Sequence, residues 1–168
     1  GIAVNIVGGQ IAILLKLPIW LDAIGTILIG AICGIVPGLI VAGITQIINA
    51  ISLPTILPYM IVGFAMAFVS SVFAKRHFFD SFSKALLLGI IVAIVTTAIA
   101  VPMDVIIFGG FVGTANSIVA AGLMAMGLPT AIAVTISSFC FGLVDKVLSV
   151  LVCYFIIKSM PSHFLVKL

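Results

Sequence analysis

From Thr130 to Ile157 the chain is apolar over a length that can cross a bilayer, broken by one adjacent charged pair, Asp145–Lys146. A helix of about 20 residues spans the hydrocarbon of a membrane. A charge at that depth costs about 2.5–3.5 kcal/mol on insertion scales, and such residues face a cavity or a partner. Two expectations follow: the segment is a membrane helix, and the protein uses the pair.

The remaining sequence obeys the same pattern. Of its 168 residues 64% are hydrophobic and only 7% charged, where a soluble domain carries about 25% charge. This predicts an all-α integral membrane bundle, one domain over residues 1–168. Pro, Gly and the few charges punctuate it. Six transmembrane helices are predicted, over residues 1–15, 23–36, 38–51, 57–74, 85–101 and 130–157. Pro37-Gly38 is the expected turn between the second and third, and Pro102 is expected to close the fifth. Gly109, Gly110, Gly113, Thr114, Asn116 and Ser117 interrupt Val105–Pro129. They predict a long Gly-rich loop between helices 5 and 6, with re-entrant or short helical pieces lining a cavity.

Charge sets the orientation. Six spans from a cytoplasmic N-terminus put Lys75, Arg76, Lys84, Lys158 and Lys167 inside and only Lys16 outside. A seventh span would divide these cations, so the positive-inside rule favours six spans in the cell membrane with both termini cytoplasmic. The opening residues lack the basic region of a cleavable signal. They start inside an apolar segment, and further residues are expected to precede them.

Several function classes drop out. The sequence has no Gly-x-x-x-x-Gly-Lys-Ser/Thr loop for ATP and no His-Glu-x-x-His. Cys33, Cys140 and Cys153 lack metal-ligand spacing and read as small apolar residues. No catalytic residue, metal site, cofactor or nucleic-acid partner is expected.

The polar residues at depth are the binding candidates. Thr135, Ser138, Gly142, Asp145 and Ser149 are three or four apart and share one helix face. That stripe fits a helix lining a ligand cavity. Lys146 points about 100° away; it either contacts ligand or locks the bundle through a partner such as Asp104. The remaining candidates sit at the ends assigned outside: Trp20, Asp22, Asn49, Tyr59, Asp104, Asn116 and Ser117. Trp20 reads as an interfacial anchor or a stacking platform, and Asp22 as a ligand group or the cap of the second span. Asn5, Gln10 and Gln46 are expected to hydrogen-bond between helices. Small residues four apart, Gly8/Ala12, Gly30/Gly34, Gly38/Ala42 and Gly63/Ala67, let helices approach closely. The approach is either within the bundle or, for the first span, against another subunit.

With this organisation the chain resembles the substrate-binding S component of energy-coupling factor (ECF) vitamin transporters. The resemblance rests on Asn5-Ile-Val-Gly-Gly-Gln-Ile-Ala12, Leu15-Lys-Leu-Pro-Ile-Trp-Leu-Asp-Ala-Ile-Gly-Thr26 and Gly34-Ile-Val-Pro-Gly38. Asp145-Lys-Val-Leu-Ser149, followed by Lys158 and Pro161, completes it. It implies a six-helix bundle from a bacterial membrane that binds one water-soluble vitamin near the outer face. The implied closing loops are Lys16–Asp22, Ser52–Pro58 and Val105–Pro129. A transmembrane coupling subunit and two cytoplasmic ATPases would supply the energy. The family's Ala-x-x-x-Ala docking pattern is replaced here by Gly8/Ala12, with Ala3 followed four positions on by Val7, so Ala3, Gly8 and Ala12 are the docking candidates. The motifs look most like the hydroxymethylpyrimidine or pyridoxine type, with Asp145, Asn116 or Asn49 as hydrogen-bond partners and Trp20 or Tyr59 stacking. Pantothenate, its carboxylate on Lys146, is the second substrate considered. A self-sufficient secondary transporter or channel, with Asp145–Lys146 as an ion relay, is the second mechanism.

Overall fold

Gly34, with φ at 93°, is the only residue between the second and third helices. That left-handed conformation is open to glycine, so the chain reverses there and not at Pro37-Gly38. Pro37 falls in the first turn of the third helix, where its missing N–H has no helical acceptor to lose.

A computed structural model describes residues 1–15, 17, 19–113 and 115–160, with the side chains of Ile13 and Ala115 left aside. Lys16, Pro18, Thr114, Pro161 and Lys167, named above, lie outside the described residues. The helices are α1 (Ile2–Leu14), α2 (Ile24–Cys33), α3 (Ile35–Ser52), α4 (Met60–Ala74), α5 (Phe82–Phe108), α6 (Ala115–Ala125) and α7 (Thr130–Ser159). A 3-10 turn, Pro54–Tyr59, leads into α4. Among the described residues there is no strand.

Among the described residues four segments are long and apolar enough to cross a membrane: Ile35–Ser52, Pro54–Ala74, Phe82–Phe108 and Thr130–Ser159. α1 and α2 are apolar but have 13 and 10 residues, or about 20 and 15 Å, short of the roughly 30 Å hydrocarbon core. Large side chains such as Ile40, Ile47, Ile106 and Ile136 are exposed on the outside. The chain is a helical membrane protein.

Helix takes up much of the region expected as a loop after Pro102, and α6 is a short helical piece of the kind expected there. α5 continues through Pro102 for two more turns, and α6 occupies Ala115–Ala125. Membrane helices tolerate such a proline when neighbours satisfy the freed backbone. α5 ends instead at Gly109 (φ 60°), whose N–H returns to the Asp104 carbonyl, as does that of Gly110 at 2.8 Å.

Close approaches fix the helix directions. Asn5 reaches Thr45, and Gly9 packs on Asn49, so α1 and α3 run parallel. Asp104 meets Ser138, Thr97 packs on Gly142, and Gly89 on Val147, so α5 and α7 run antiparallel. Gly30 lies against Ala67 and Ser70, Gly38 against Gly30, and Gly63 against Ala42. Those small-residue pairs knit α2, α3 and α4 together.

The same is true of α1. A side chain at Gly8 would strike the Leu21 carbonyl, and Ala12 is buried. Of the three docking candidates only Ala3 is exposed. Of the two uses expected for the Gly8/Ala12 face, contact within the bundle or with another subunit, Gly8 takes the first, with Leu21 of the α1–α2 connection packed on it.

The bundle has two unlike halves. One is filled by apolar side chains, including Leu88, Val92, Val150 and Cys153, each 0% exposed. Beyond that core lie Lys75, Arg76, Lys84 and Lys158, all at this end. The other half contains a cavity.

Candidate functional site

Asp104 sits one turn before the end of α5, where the helix meets the N-terminal part of α7. Its Oδ1 accepts the Tyr59 hydroxyl proton and its Oδ2 that of Ser138, at 3.3 Å. Asn116, in the first turn of α6, donates through Nδ2 to Ser138 Oγ at 3.0 Å. Three elements and the 3-10 turn therefore converge on one carboxylate. Asn116 Oδ1 is buried with no hydrogen-bond partner.

Two helical turns farther along α7, about 10 Å, lies the second cluster. Lys146 Nζ bonds Asp145 Oδ2 at 2.5 Å, with both side chains buried. Asp145 Oδ1 accepts the Leu21 N–H at 3.2 Å. Leu21 is a non-glycine residue at φ 51°, a conformation that costs energy and persists where surroundings hold it. Here the Asp145 carboxylate and the bare surface of Gly8 hold it. The connection is thus strapped across the bundle, with Trp20 and Asp22 on either side of the fixed residue facing the cavity. Asp22 lies on this connection, outside the helices. Burial pushes its carboxyl up to about 6, with Lys146 pulling it down and Asp145 adding to the rise.

The space between the clusters is about 130 Å³, measured for the centres of water-sized molecules. At about 10–15 Å³ per water on that measure, it has room for a small organic molecule. Its middle is apolar or weakly polar, with Met66, Thr97, Ala100, Phe141 and Gly142 among the walls. Tyr59 stacks on Phe108, ring centres 6.1 Å apart.

Seven of the eight binding candidates line this one cavity: Trp20, Asp22, Tyr59, Asp104, Asn116, Asp145 and Lys146. Asn49 does not. It is 1% exposed and accepts Gln10 Nε2 at 3.2 Å, while Gln10 Oε1 accepts Ser52 Oγ at 3.1 Å. It belongs to the α1–α3 seam. On the α7 stripe, Ser138, Gly142 and Asp145 face the cavity, whereas Thr135 is exposed and bonds its own helix. Ser149 is fully buried beyond the cavity. Lys146 does not lock onto Asp104. Its long side chain folds back to Asp145 and reaches the cavity despite its position on the helix.

Thr26, Thr45, Thr96 and Thr97 also line the cavity and were missed. The adjacent Thr96-Thr97 in an otherwise apolar span was the available signal. Among the described residues no group of three His, Cys, Asp or Glu side chains gathers to hold a metal. No protein-family model, curated protein or solved structure matches the chain.

Proposed function

We propose that this chain is the solute-binding membrane subunit of an ATP-driven importer of the ECF type, taking up a water-soluble vitamin or precursor. The observation that carries the reading is the cavity, lined by polar groups from α2, α3, α5, α6 and α7 and bordered by a strapped connection. Such a concave site with a few placed polar groups is the usual form of a small-molecule site. The chain contains no ATP-binding loop, so a coupling subunit and two cytoplasmic ATPases drive the cycle.

In this reading α1 and α2 join the four long segments as six membrane helices, and α6 caps the cavity. Lys75, Arg76, Lys84 and Lys158 lie at the end away from the cavity. By the positive-inside rule that end is cytoplasmic, the cavity opens outward, and both termini are inside a bacterial cell. The coupling subunit meets the α1 face that carries Ala3, Val4 and Val7, which is exposed. Hydroxymethylpyrimidine or pyridoxine fits the cavity better than pantothenate, because Lys146 is already paired with Asp145.

Reconstitution tests the reading. Uptake is expected only when the coupling and ATPase subunits are present with ATP. Uptake by the lone chain driven by a proton or sodium gradient contradicts it and establishes the secondary transporter.

A further inference from the structure

The charges of the chain are distributed unevenly around its cavity. Three of its four acidic residues, Asp22, Asp104 and Asp145, line it. Of the five cations among the described residues, Lys75, Arg76, Lys84, Lys146 and Lys158, only Lys146 does so, and that ammonium is bound to Asp145. Asp22 shares the field of the same lysine, so one lysine faces two carboxylates at that end. Asp104 has no cation partner among the described residues. A buried carboxylate without a counter-charge is costly.

Hydrogen-bonding capacity points the same way. The hydroxyl protons of Tyr59 and Ser138 are spent on Asp104. Asn116 has given an amide proton to Ser138 and keeps a buried, unpartnered Oδ1. This end of the cavity therefore offers acceptors and asks for donors. An anion would meet the Asp104 carboxylate, which has no cation partner among the described residues. A hard metal ion needs six or more oxygens in calcium-like sites, and the described residues gather no such acidic group.

Resting on the solute-binding reading, we infer that the cavity selects a small organic cation, an ammonium, amidinium or protonated amino-heterocycle, with its N–H groups on Asp104 and Asn116 Oδ1. The stacked Tyr59 supplies an aromatic wall beside the charge, which favours cations further. Of the vitamins considered, the aminopyrimidine carries such donors, whereas pantothenate brings a carboxylate.

Three probes with one ring and different head groups test the charge: benzamidinium, benzamide and benzoate, each titrated against the purified full chain in lipid nanodiscs. Benzamidinium is expected to bind best, by about tenfold or more over benzamide, with benzoate weakest. Asp104→Asn is expected to abolish that preference while exposed Asp80→Asn preserves it. Should Asp104→Asn fail to fold, Asn116→Ala is expected to weaken benzamidinium selectively. Benzoate binding best, equal or absent binding of all three, or a preference unchanged in the variants overturns the inference. Mass spectrometry of solute released from the purified chain separates the two levels. A neutral or anionic solute overturns the charge assignment and leaves the solute-binding reading standing; no solute at all removes both.

Discussion

Two buried asparagines in this bundle behave in opposite ways. Asn5 is 0% exposed and closed on its neighbours: Nδ2 donates to Thr26 at 2.8 Å and Thr45 at 3.3 Å, and Oδ1 accepts the Gly25 N–H at 2.6 Å. It joins α1, α2 and α3, and both of its side-chain polar atoms are partnered. Asn116 is joined only through its amide nitrogen, and its carbonyl oxygen is buried and open. Inside a membrane protein such an open group is expensive. The contrast separates polarity that assembles helices from polarity kept for a solute.

The Asp145–Lys146 pair tests the boundary, because it is closed by charge yet lines the cavity. Asp145→Ala leaves Lys146 buried beside Asp22 alone and frees Leu21. We expect a loss of about 3–5 kcal/mol, seen in thermal unfolding, with ligand binding falling as the strap loosens. Unchanged stability would place the pair wholly on the open side.

Asn5→Leu comes next. It strands the Gly25 N–H and two threonine hydroxyls, for an expected loss of about 2–3 kcal/mol. Solute affinity of the folded fraction should be unaltered. A selective loss of affinity would break the comparison.

Asp104→Asn is the reverse case. The amide keeps a similar shape and removes an uncompensated charge, so stability should change by less than about 1 kcal/mol. Solute affinity should fall by about tenfold or more. Equal losses of stability and affinity would move this cluster to the structural side.

The smallest effect is a pH dependence at Asp22. Its folded-state carboxyl is raised from 3.8 to about 6, so the folded protein binds this proton more tightly than the unfolded chain. Stability should therefore rise as pH falls from about 7 towards 5, and the increment should vanish in Asp22→Asn. A fall over that window specific to the wild-type residue would contradict the burial of Asp22.

Helical periodicity alone placed Ser138, Gly142 and Asp145 on a common face, and alternating spans brought Tyr59, Asp104 and Asn116 to one end. Both follow from local spacing and the bilayer's demand for regular helices. Tertiary approach was not legible. The Leu21–Asp145 bond joins residues 124 positions apart and depends on the bare surface of Gly8, which the sequence offered as a docking motif. Asn49 looked like its outer neighbours until Gln10, on a parallel helix, closed it. Pro102 and the glycines after it suggested a loop, yet α5 continues past the proline to Phe108.

The central claim is that the open cluster around Asp104 exists to hold a solute. Its most direct test is mass spectrometry of small molecules released by unfolding the wild-type chain and Asp104→Asn, each purified from the membrane under identical conditions. The account predicts one solute in near-stoichiometric amount from the wild type, lost from Asp104→Asn and retained by Asp80→Asn. A wild-type protein that releases nothing, or an Asp104→Asn variant that releases as much, would contradict it.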